Sequence, residues 1–347
     1  MPATLCWAVI IFVAAQGALG IGTEQLWPGL RDPEYGKKLA LVRAVRSAHP
    51  NRELLLVLGS SRTAVGLRPA LLDTSETRNN GSPLVFNFGM TAAGPIRELL
   101  HLRRLLRDGV RPDGLVIEML PTMLNQPGHY NEANHIPLTR LTWNDLPLIA
   151  RYRDGQEQTS AGFTPATGVH RQWCQANVVP VYAQRFVLMS RCLPAWLPHD
   201  KRTDFWEGLD AWGWFPFLRR PSDAENHRAL DYAQREHAEL LHHYDITEPP
   251  NRAVREMLSI CQKENIPVVL LIMPESRVFR GWYGPQTEEK LGTYLRQLRH
   301  EFGVPCIDAR AWISDEHFLD GHHLLPDGAA LFTQRFGVEV VPMFQWQ

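Results

Sequence analysis

The feature of this sequence that most constrains its fold is a set of short runs in which nearly every residue is apolar. The runs lie at residues 53–58, 84–88, 114–120, 266–273 and 304–307. A strand that is apolar throughout, rather than at alternate positions, is typical of a parallel sheet covered on both faces. Segments with apolar residues at helical spacing lie between them, at residues 37–47, 95–108, 251–264, 286–302 and 326–336. The alternation predicts an α/β fold with a doubly wound parallel sheet of about five strands.

The pattern lapses between about residues 125 and 250. This region is rich in Trp, Pro, His and Arg and has no run of strands, which predicts a large, mostly helical insertion over the C-terminal edge of the sheet. Long segments of this kind are usually functional lids or binding elements. The pattern resumes at Asn251, which we expect to cap a helix. We therefore divide the chain into an N-terminal segment (1–23) and one α/β domain (24–347) that contains the insertion.

The N-terminal segment has the length and composition of a membrane-spanning helix. No charged residue occurs from Pro2 to Thr23, and about twenty uncharged residues can cross a bilayer as a helix. A cleaved signal peptide and a retained anchor both fit, since small residues at Ala14–Ala18 permit cleavage but the run is long for a signal peptide. We expect a retained anchor with the remainder exported to the periplasm or cell surface, or secreted if the segment is cleaved.

Composition narrows the classes of partner and cofactor. The net charge is −1, from 36 basic and 37 acidic residues, which gives no reason to expect a nucleic-acid partner. No C-x-x-C pair occurs, so a structural zinc site is not expected. Of the four cysteines outside the anchor, Cys174 and Cys192 are the better candidates for a disulfide, because Cys261 and Cys306 lie on apolar faces.

Two distant segments carry residues suited to acyl transfer. Gly59-Ser60-Ser61-Arg62 follows the first strand, where a serine can stand exposed beside the free N–H groups of a helix. Taken alone, this motif favours the alternative in which the two serines only cap that helix. Near the other end, Asp320 and His323 have the spacing of a general base and the carboxylate that orients it. With His317 and His322 nearby, the alternative is a metal site, although no H-E-x-x-H pattern supports it.

Together these segments resemble the SGNH/GDSL hydrolase superfamily. Gly59-Ser60-Ser61 stands where the family has Gly-Asp-Ser, and Asp320 to His323 stands where it has Asp-x-x-His before the last helix. The resemblance covers about residues 53–120 and 251–336, not the insertion. It implies a flavodoxin-like sandwich in which Ser61 is the nucleophile, His323 the base and Asp320 its orienting partner. With the N-terminal anchor, the chain is most similar to membrane-tethered proteins of bacterial envelopes, such as alginate acetyltransferases and the D-alanyl-lipoteichoic acid protein.

The same resemblance suggests an oxyanion hole. The backbone N–H of Ser61 and that of Ala92, which stands where the family has glycine, would be donors, with Gly89 nearby. The family's third donor is an Asn side chain after the third strand, and this chain has none at that point. Thr122 would donate in its place, or Asn125 would reach in from further along. Loss of one such donor costs about 3–4 kcal/mol of transition-state stabilisation.

Five other residues are candidates for substrate binding, each with a structural alternative. Arg62 would either steer an anionic substrate or pair with Glu118, and we favour the pairing. Glu275 and Arg277 end a core strand and would line the pocket or form a loop salt bridge. Trp212 and Trp214 would stack on a sugar ring or form the insertion's own core.

The resulting prediction is a serine esterase or O-acyltransferase that needs no cofactor. Its substrate would be an acylated small molecule or cell-envelope polysaccharide, and the resemblance suggests a membrane-bound acyltransferase as partner. The alternatives are a catalytically degenerate domain that binds glycan or scaffolds an envelope assembly, and a metal-dependent hydrolase built on the histidine cluster.

Overall fold

The computed structural model describes residues 2–75, 77, 81–127, 130–153, 166–216 and 221–346. Its five strands form one sheet: β1 Leu54–Gly59, β2 Leu84–Gly89, β3 Gly114–Glu118, β4 Val268–Ile272 and β5 Cys306–Asp308. All neighbouring strands are parallel, in the order β2-β1-β3-β4-β5. The chain thus winds outward from β1 in both directions, and the predicted doubly wound α/β fold is confirmed. In such a sheet, ligands bind beyond the carboxyl ends of the strands where the winding changes direction, here at β1 and β3.

Helices alternate with these strands and fill the region between β3 and β4. Those of six or more residues are α1 Pro2–Ile21, α2 Pro33–Ala48, α3 Ser61–Gly66, α4 Pro95–Arg107, α5 Leu146–Tyr152, α6 Ala166–Asn177, α7 Arg185–Cys192, α8 Asp223–His242, α9 Glu248–Lys263, α10 Thr287–Phe302 and α11 Pro326–Glu339. Single helical turns cover Pro28–Arg31, Pro121–Leu124, Pro180–Ala183 and Arg277–Arg280. The part of the insertion that the structure describes contains helices and loops but no strand.

The cap predicted for α9 is wrong by one turn. The helix begins at Glu248 with Thr247 as its N-cap residue, so Asn251 lies inside the helix. Proline is well tolerated in the first turn, where the backbone N–H has no helical partner, and Pro249 and Pro250 occupy that turn.

The described residues form two compact units. One comprises Met1–Ala40 and Ala133–Gly208, and the other Leu41–Glu132 and Leu209–Gln347. The first contains α1 and most of the insertion. The second contains the whole sheet and the rest of the insertion, including α8.

The core of the sheet unit explains why its strands are apolar throughout. Leu55, Val57 and Val116 are buried on the face that packs against Phe332 and Phe336 of α11. Complete burial of a side chain of this size contributes about 1.5–3 kcal/mol. The sheet is therefore a rigid base for the loops at its carboxyl edge.

The N-terminal helix is the one described segment that is long and apolar enough to cross a membrane. The candidate span is Ala3–Leu26, with mean hydropathy 2.0 and only 6% of its most apolar window buried. A signal sequence would have the same properties. The disulfide predicted between Cys174 and Cys192 is not formed, because both residues are free thiols.

Candidate active site

Ser61, His323 and Asp320 are joined by two hydrogen bonds at the carboxyl edge of the sheet. Ser61 is the first residue of α3, which follows β1 directly. Its Oγ lies 2.8 Å from Nε2 of His323, and the Nδ1 of that ring lies 2.7 Å from Oδ2 of Asp320. Such distances allow a histidine held by a carboxylate to take the serine proton. The structure therefore brings together serine and histidine from positions 262 residues apart.

The loop that carries Asp320 and His323 is held by hydrogen bonds between the Asp320 carboxylate and backbone N–H groups of the loop. Oδ1 of Asp320 accepts hydrogen bonds from the N–H groups of His323 (2.8 Å) and His322 (3.2 Å). Gly321 between them has φ 89°, which glycine adopts without steric cost. Burial alone would raise the pKa of Asp320, but the charges of His323 and His322 and the hydrogen bonds from His323 hold that pKa well below its usual range. Asp320 is thus an anion suited to keeping a proton on Nδ1 of His323.

Ser60 has the capping role that the sequence left open for both serines. Its Oγ accepts a hydrogen bond from the N–H of Arg62 (3.1 Å), which makes it the N-cap residue of α3. The same Oγ donates to Glu118, 3.0 Å from each carboxylate oxygen. Ser61 is therefore left to contact His323.

Glu118, at the end of β3, fixes the turn that carries Ser61. Its Oε2 accepts from the N–H of Ser60 (2.7 Å) and from the hydroxyl of Thr63 (2.7 Å). A Cβ at Gly59 would lie 2.5 Å from Oε2 of Glu118, so only glycine fits between this carboxylate and the turn. Glu118 thus ties the turn after β1 to the end of the neighbouring strand.

Two backbone N–H groups, those of Ser61 and Ala92, are the candidates for an oxyanion hole. The N–H of Ser61 is at the first position of α3 and has no partner within the helix. Ala92 has φ 53° in a turn closed by the N–H of Ala93 and the carbonyl of Met90 (3.1 Å). This left-handed conformation is one that glycine adopts more readily than alanine.

Gly89 does not have the role predicted for it. Its N–H is already bonded to Oδ1 of Asn87 (2.9 Å). A Cβ at this position would lie 2.4 Å from the backbone N of Ala64, so glycine is required for α3 to pack against the end of β2.

The two candidate replacements for the family's Asn, Asn125 and Thr122, differ in whether their donor groups are already hydrogen-bonded. Asn125 uses its amide to donate to the carbonyls of Leu240 (2.7 Å) and His243 (3.0 Å), which holds the end of α8. Thr122, just after β3, is buried, and its hydroxyl has no hydrogen-bond partner. Of the two, only Thr122 has a free donor.

Arg62 is buried in a cluster of charged residues beneath the turn that carries Ser61. Its residue surface is 1% exposed, and Nη2 donates to the carbonyls of Met273 (2.9 Å) and Pro274 (3.0 Å). Nη2 also lies 3.2 Å from Glu275, and Nε lies 3.8 Å from Glu118. These contacts fit the pairing interpretation and leave Arg62 no route to a substrate.

Glu275 belongs to the same cluster. It is fully buried and accepts a hydrogen bond from the hydroxyl of Tyr283 (2.9 Å). Burial raises the pKa of Glu275, although the charges of Arg62 and Arg310 oppose the rise. It therefore supports the end of β4 and does not line an open pocket.

The remaining binding candidates are also engaged elsewhere. Arg277 has a side chain that is 82% exposed and forms a surface salt bridge with Asp315 (2.8 Å), the structural alternative given above. Trp214 is buried and donates to the carbonyl of Val65 (2.7 Å). Trp212 stacks on His49, which precedes β1 and is therefore at the opposite end of that strand from Ser61. The structure does not bring these residues to the Ser61 hydroxyl.

Helix α8 forms a wall of the site that sequence analysis missed. The ring of His237 lies 4.8 Å from that of His322, which in turn lies 4.2 Å from His323. A Cβ at Gly321 would lie 3.3 Å from Leu230, so the helix packs directly on the loop that carries His323. In the sequence, this region is recognisable as a helical segment with several histidines just before the strand–helix alternation resumes. The spacing of those histidines does not predict which residues they contact.

The two histidines packed between α8 and the loop are neutral at pH 7. Burial, together with the charges of Arg62 and His323, lowers the pKa of His237 to about 4. Burial and the charge of His323 likewise place the pKa of His322 well below its usual range, although Asp320 opposes the shift. The neutral rings of His237 and His322 can pack closely beside His323 without adding charge near it.

The same loop contains three potential metal ligands. Asp320, His322 and His323 have potential ligand atoms within 4.8 Å of one another. However, Nδ1 and Nε2 of His323 are bonded to Asp320 and Ser61. A catalytic zinc ion needs about three free protein ligands, so the existing hydrogen bonds would have to break first.

Comparison with known proteins adds little to this geometry. A family model for a domain of unknown function matches residues 222–345, about a third of the chain. The match begins one residue before α8 and includes Asp320 and His323, but not Ser61. No curated protein matches the chain.

Proposed function

We propose that this protein is a serine esterase or O-acyltransferase that acts on an acyl ester through Ser61, His323 and Asp320. The observation that carries the proposal is the continuous path from Ser61 Oγ to His323 Nε2 (2.8 Å) and from His323 Nδ1 to Asp320 (2.7 Å). The first residue of a helix beyond a buried strand is a suitable place for a nucleophile, because backbone N–H groups point toward it.

In the first half-reaction, Ser61 Oγ attacks the ester carbonyl carbon while Nε2 of His323 takes the hydroxyl proton. A C–O bond forms, and the carbonyl electrons move to the oxygen, where the N–H groups of Ser61 and Ala92 stabilise the negative charge. The C–O bond to the leaving alcohol then breaks, and His323 gives that alcohol the proton. The product is an ester on Ser61, and Asp320 stabilises the imidazolium throughout.

In the second half-reaction, an incoming hydroxyl attacks the ester on Ser61. His323 takes the proton of that hydroxyl and returns it to Ser61 Oγ as the acyl bond breaks. Water would give a carboxylic acid, and a sugar hydroxyl would give a new ester. The same residues therefore serve hydrolysis and transfer, and the acceptor that reaches the site decides between them.

We further propose that residues 3–26 anchor the protein in a membrane with the site on the extracytoplasmic side. The length and hydropathy of α1 support the anchor. An acylated envelope polysaccharide would be a natural substrate at that location, with a membrane-bound acyltransferase as the source of acyl groups.

The test is to trap the acyl-enzyme with p-nitrophenyl acetate. We expect purified full-length protein to release nitrophenol and to carry an acetyl group on Ser61, detected in the Ser61 peptide by mass spectrometry. Ser61→Ala and His323→Ala should each lose about 10⁴-fold or more of the turnover. Turnover retained in both variants would refute the proposal.

The engagement of Asn125 with α8 favours one alternative, a degenerate domain that binds glycan without turning it over. Such a protein would bind acetylated polysaccharide equally well as wild type and as Ser61→Ala and would form no acyl-enzyme. The metal-dependent alternative predicts that EDTA abolishes turnover, whereas the serine mechanism predicts no effect.

A further inference from the structure

One surface of the first unit is apolar although it is exposed. Val178, Val181 and Tyr182, which we call the 178–182 surface, are 75%, 41% and 63% exposed. They lie in a stretch from Gln172 to Gln184 that has no charged residue. Contiguous exposed apolar side chains usually mark a contact with a partner or a membrane.

This surface is attached to the proposed membrane anchor. The N–H of Val181 donates to Oε1 of Gln16 on α1 (3.0 Å). Four residues further along α1, a Cβ at Gly20 would lie 3.3 Å from Pro180. The short helix Pro180–Ala183 thus lies alongside α1 within its uncharged run, and both belong to the same unit.

The depth of the surface follows from helix geometry. The first charged side chain after Met1 is Glu24, eight residues after Gln16. At a rise of about 1.5 Å per residue, Gln16 lies roughly 12 Å below that charge along the helix. Elements that lie in the membrane interface are buried about 5–10 Å into the boundary of headgroups and acyl chains. Gly20, which contacts Pro180, lies roughly 6 Å below the same charge. If α1 spans the bilayer, the 178–182 surface, which contacts α1 between Gln16 and Gly20, is therefore close to this depth.

The neighbouring residues have the character of a membrane interface. The guanidinium of Arg185 lies 3.8 Å from the ring centre of Tyr182, and exposed Trp27 follows the end of the span. Tyrosine and tryptophan favour the headgroup region, and arginine can extend its charge toward water or anionic headgroups while its stem stays in apolar surroundings.

We propose that the 178–182 surface is inserted in the lipid bilayer beside α1 and forms a second membrane contact. This inference depends on the anchor proposed above but not on the catalytic proposal. Its continuity with the spanning helix favours lipid over a protein partner, because a partner would have to bind at the depth of the bilayer.

The test measures the depth of spin labels on the full-length protein in vesicles of phosphatidylcholine and phosphatidylglycerol. The exposed thiols Cys6, Cys174 and Cys192 are first replaced by serine, and single labels are then placed at Val178→Cys and Tyr182→Cys. Phe12→Cys reports on the middle of the span, and Glu239→Cys, on an exposed position of α8, reports on water. Collisions with oxygen indicate lipid, and collisions with a water-soluble nickel complex indicate solvent.

We expect labels at positions 178 and 182 to lose their collisions with the nickel complex and to keep those with oxygen, as the label at position 12 does. Labels at 178 and 182 that behave like position 239 would overturn the inference while leaving the anchor intact. Shielding from both reagents would show that a second copy of the chain covers the surface and would also overturn it. A label at position 12 that reports water would remove the anchor and this inference together.

Discussion

The adjacent serines at the end of β1 have different contacts, which their local sequence alone does not distinguish. Ser60 caps α3 and is bonded to Glu118, whereas Ser61 contacts His323. The local sequence is compatible with either assignment, because capping and nucleophilic roles both suit a serine at a helix N-terminus. The family resemblance names Ser61 as the nucleophile, and in the structure it is Ser61 that lies against His323 on the distant loop.

Alanine replacements should therefore separate stability from activity at these two positions. Ser60→Ala removes a helix cap and a buried hydrogen bond, so we expect it to lower the free energy of unfolding by about 1–2 kcal/mol. Ser61→Ala should leave stability nearly unchanged and abolish nitrophenyl ester turnover. Denaturant unfolding and turnover, measured on both variants, would contradict the assignment if Ser60→Ala were the inactive and stable one.

Replacement of Ala92 by glycine should stabilise the protein. Its φ of 53° disfavours a residue with a Cβ, so we expect Ala92→Gly to raise the free energy of unfolding by about 1 kcal/mol. The backbone N–H is kept, so turnover should persist. Asn265→Gly is the matched control at φ 52°, where we expect a smaller gain because asparagine tolerates this conformation. A loss of stability in Ala92→Gly would show that the turn does not need the positive φ.

Thr122 should be needed for turnover but not for stability. Its buried hydroxyl has no partner, so we expect Thr122→Val to be neutral or stabilising by up to about 1 kcal/mol. If the hydroxyl donates to the oxyanion, turnover should fall by about 10²-fold or more. Thr333→Val is the control, since the Thr333 hydroxyl donates to the carbonyl of Ala329 (2.7 Å) and its loss should destabilise the protein. Unchanged turnover in Thr122→Val would remove Thr122 from the oxyanion hole.

Among the secondary-structure elements, the strands of the sheet could be predicted from the sequence, but the packing of α8 beside His323 could not. Strands β1 to β4 are buried along their whole length, and this burial requires a local run of apolar residues, as in Leu54–Gly59. The packing of α8 on the Gly321 loop is a contact between segments about ninety residues apart, and nothing in the spacing of Leu230 or His237 indicates it. Likewise, Arg62 and Glu275 could be named as charged residues at strand ends, but their complete burial depends on the surrounding tertiary structure.

The contact between α8 and the loop predicts a dependence of stability on pH. His237 has a pKa of about 4 in the folded protein and about 6.5 when unfolded, so the unfolded chain binds the proton more readily between these values. The free energy of unfolding should fall as the pH drops from 6.5 toward 4, by at most about 3 kcal/mol from this group. His322 acts in the same direction. Asp320, whose folded pKa is depressed, loses its contribution only below about pH 4.

Chemical denaturation at pH 7 and pH 5 would measure this effect. We expect the difference between the two pH values to be smaller in His237→Gln than in wild type. His227→Gln, on an exposed position of α8, should retain the full difference. Equal pH dependence in His237→Gln and wild type would show that burial does not hold His237 neutral.

At the scale of the whole molecule, the insertion proved to be two parts with different neighbours. Residues 133–208 belong to the unit that contains α1, and residues 209–250 belong to the unit that contains the sheet. Sequence patterning gives the local period of a helix but not its tertiary partners, so the insertion could be recognised as helical but not divided. The residues of the proposed triad could be named from the sequence because the family resemblance rests on short motifs, which lie at the end of β1 and before α11.

The most direct test of whether His323 activates Ser61 is fluorophosphonate labelling of the full-length protein, with the modified peptide mapped by mass spectrometry. A serine activated by His323 should form a covalent adduct on Ser61 in the wild type and in Ser60→Ala, but not in His323→Ala. An adduct on Ser60, or equal labelling of Ser61 with and without His323, would contradict the account. Folded protein that forms no adduct would also contradict it, since an activated Ser61 is its premise.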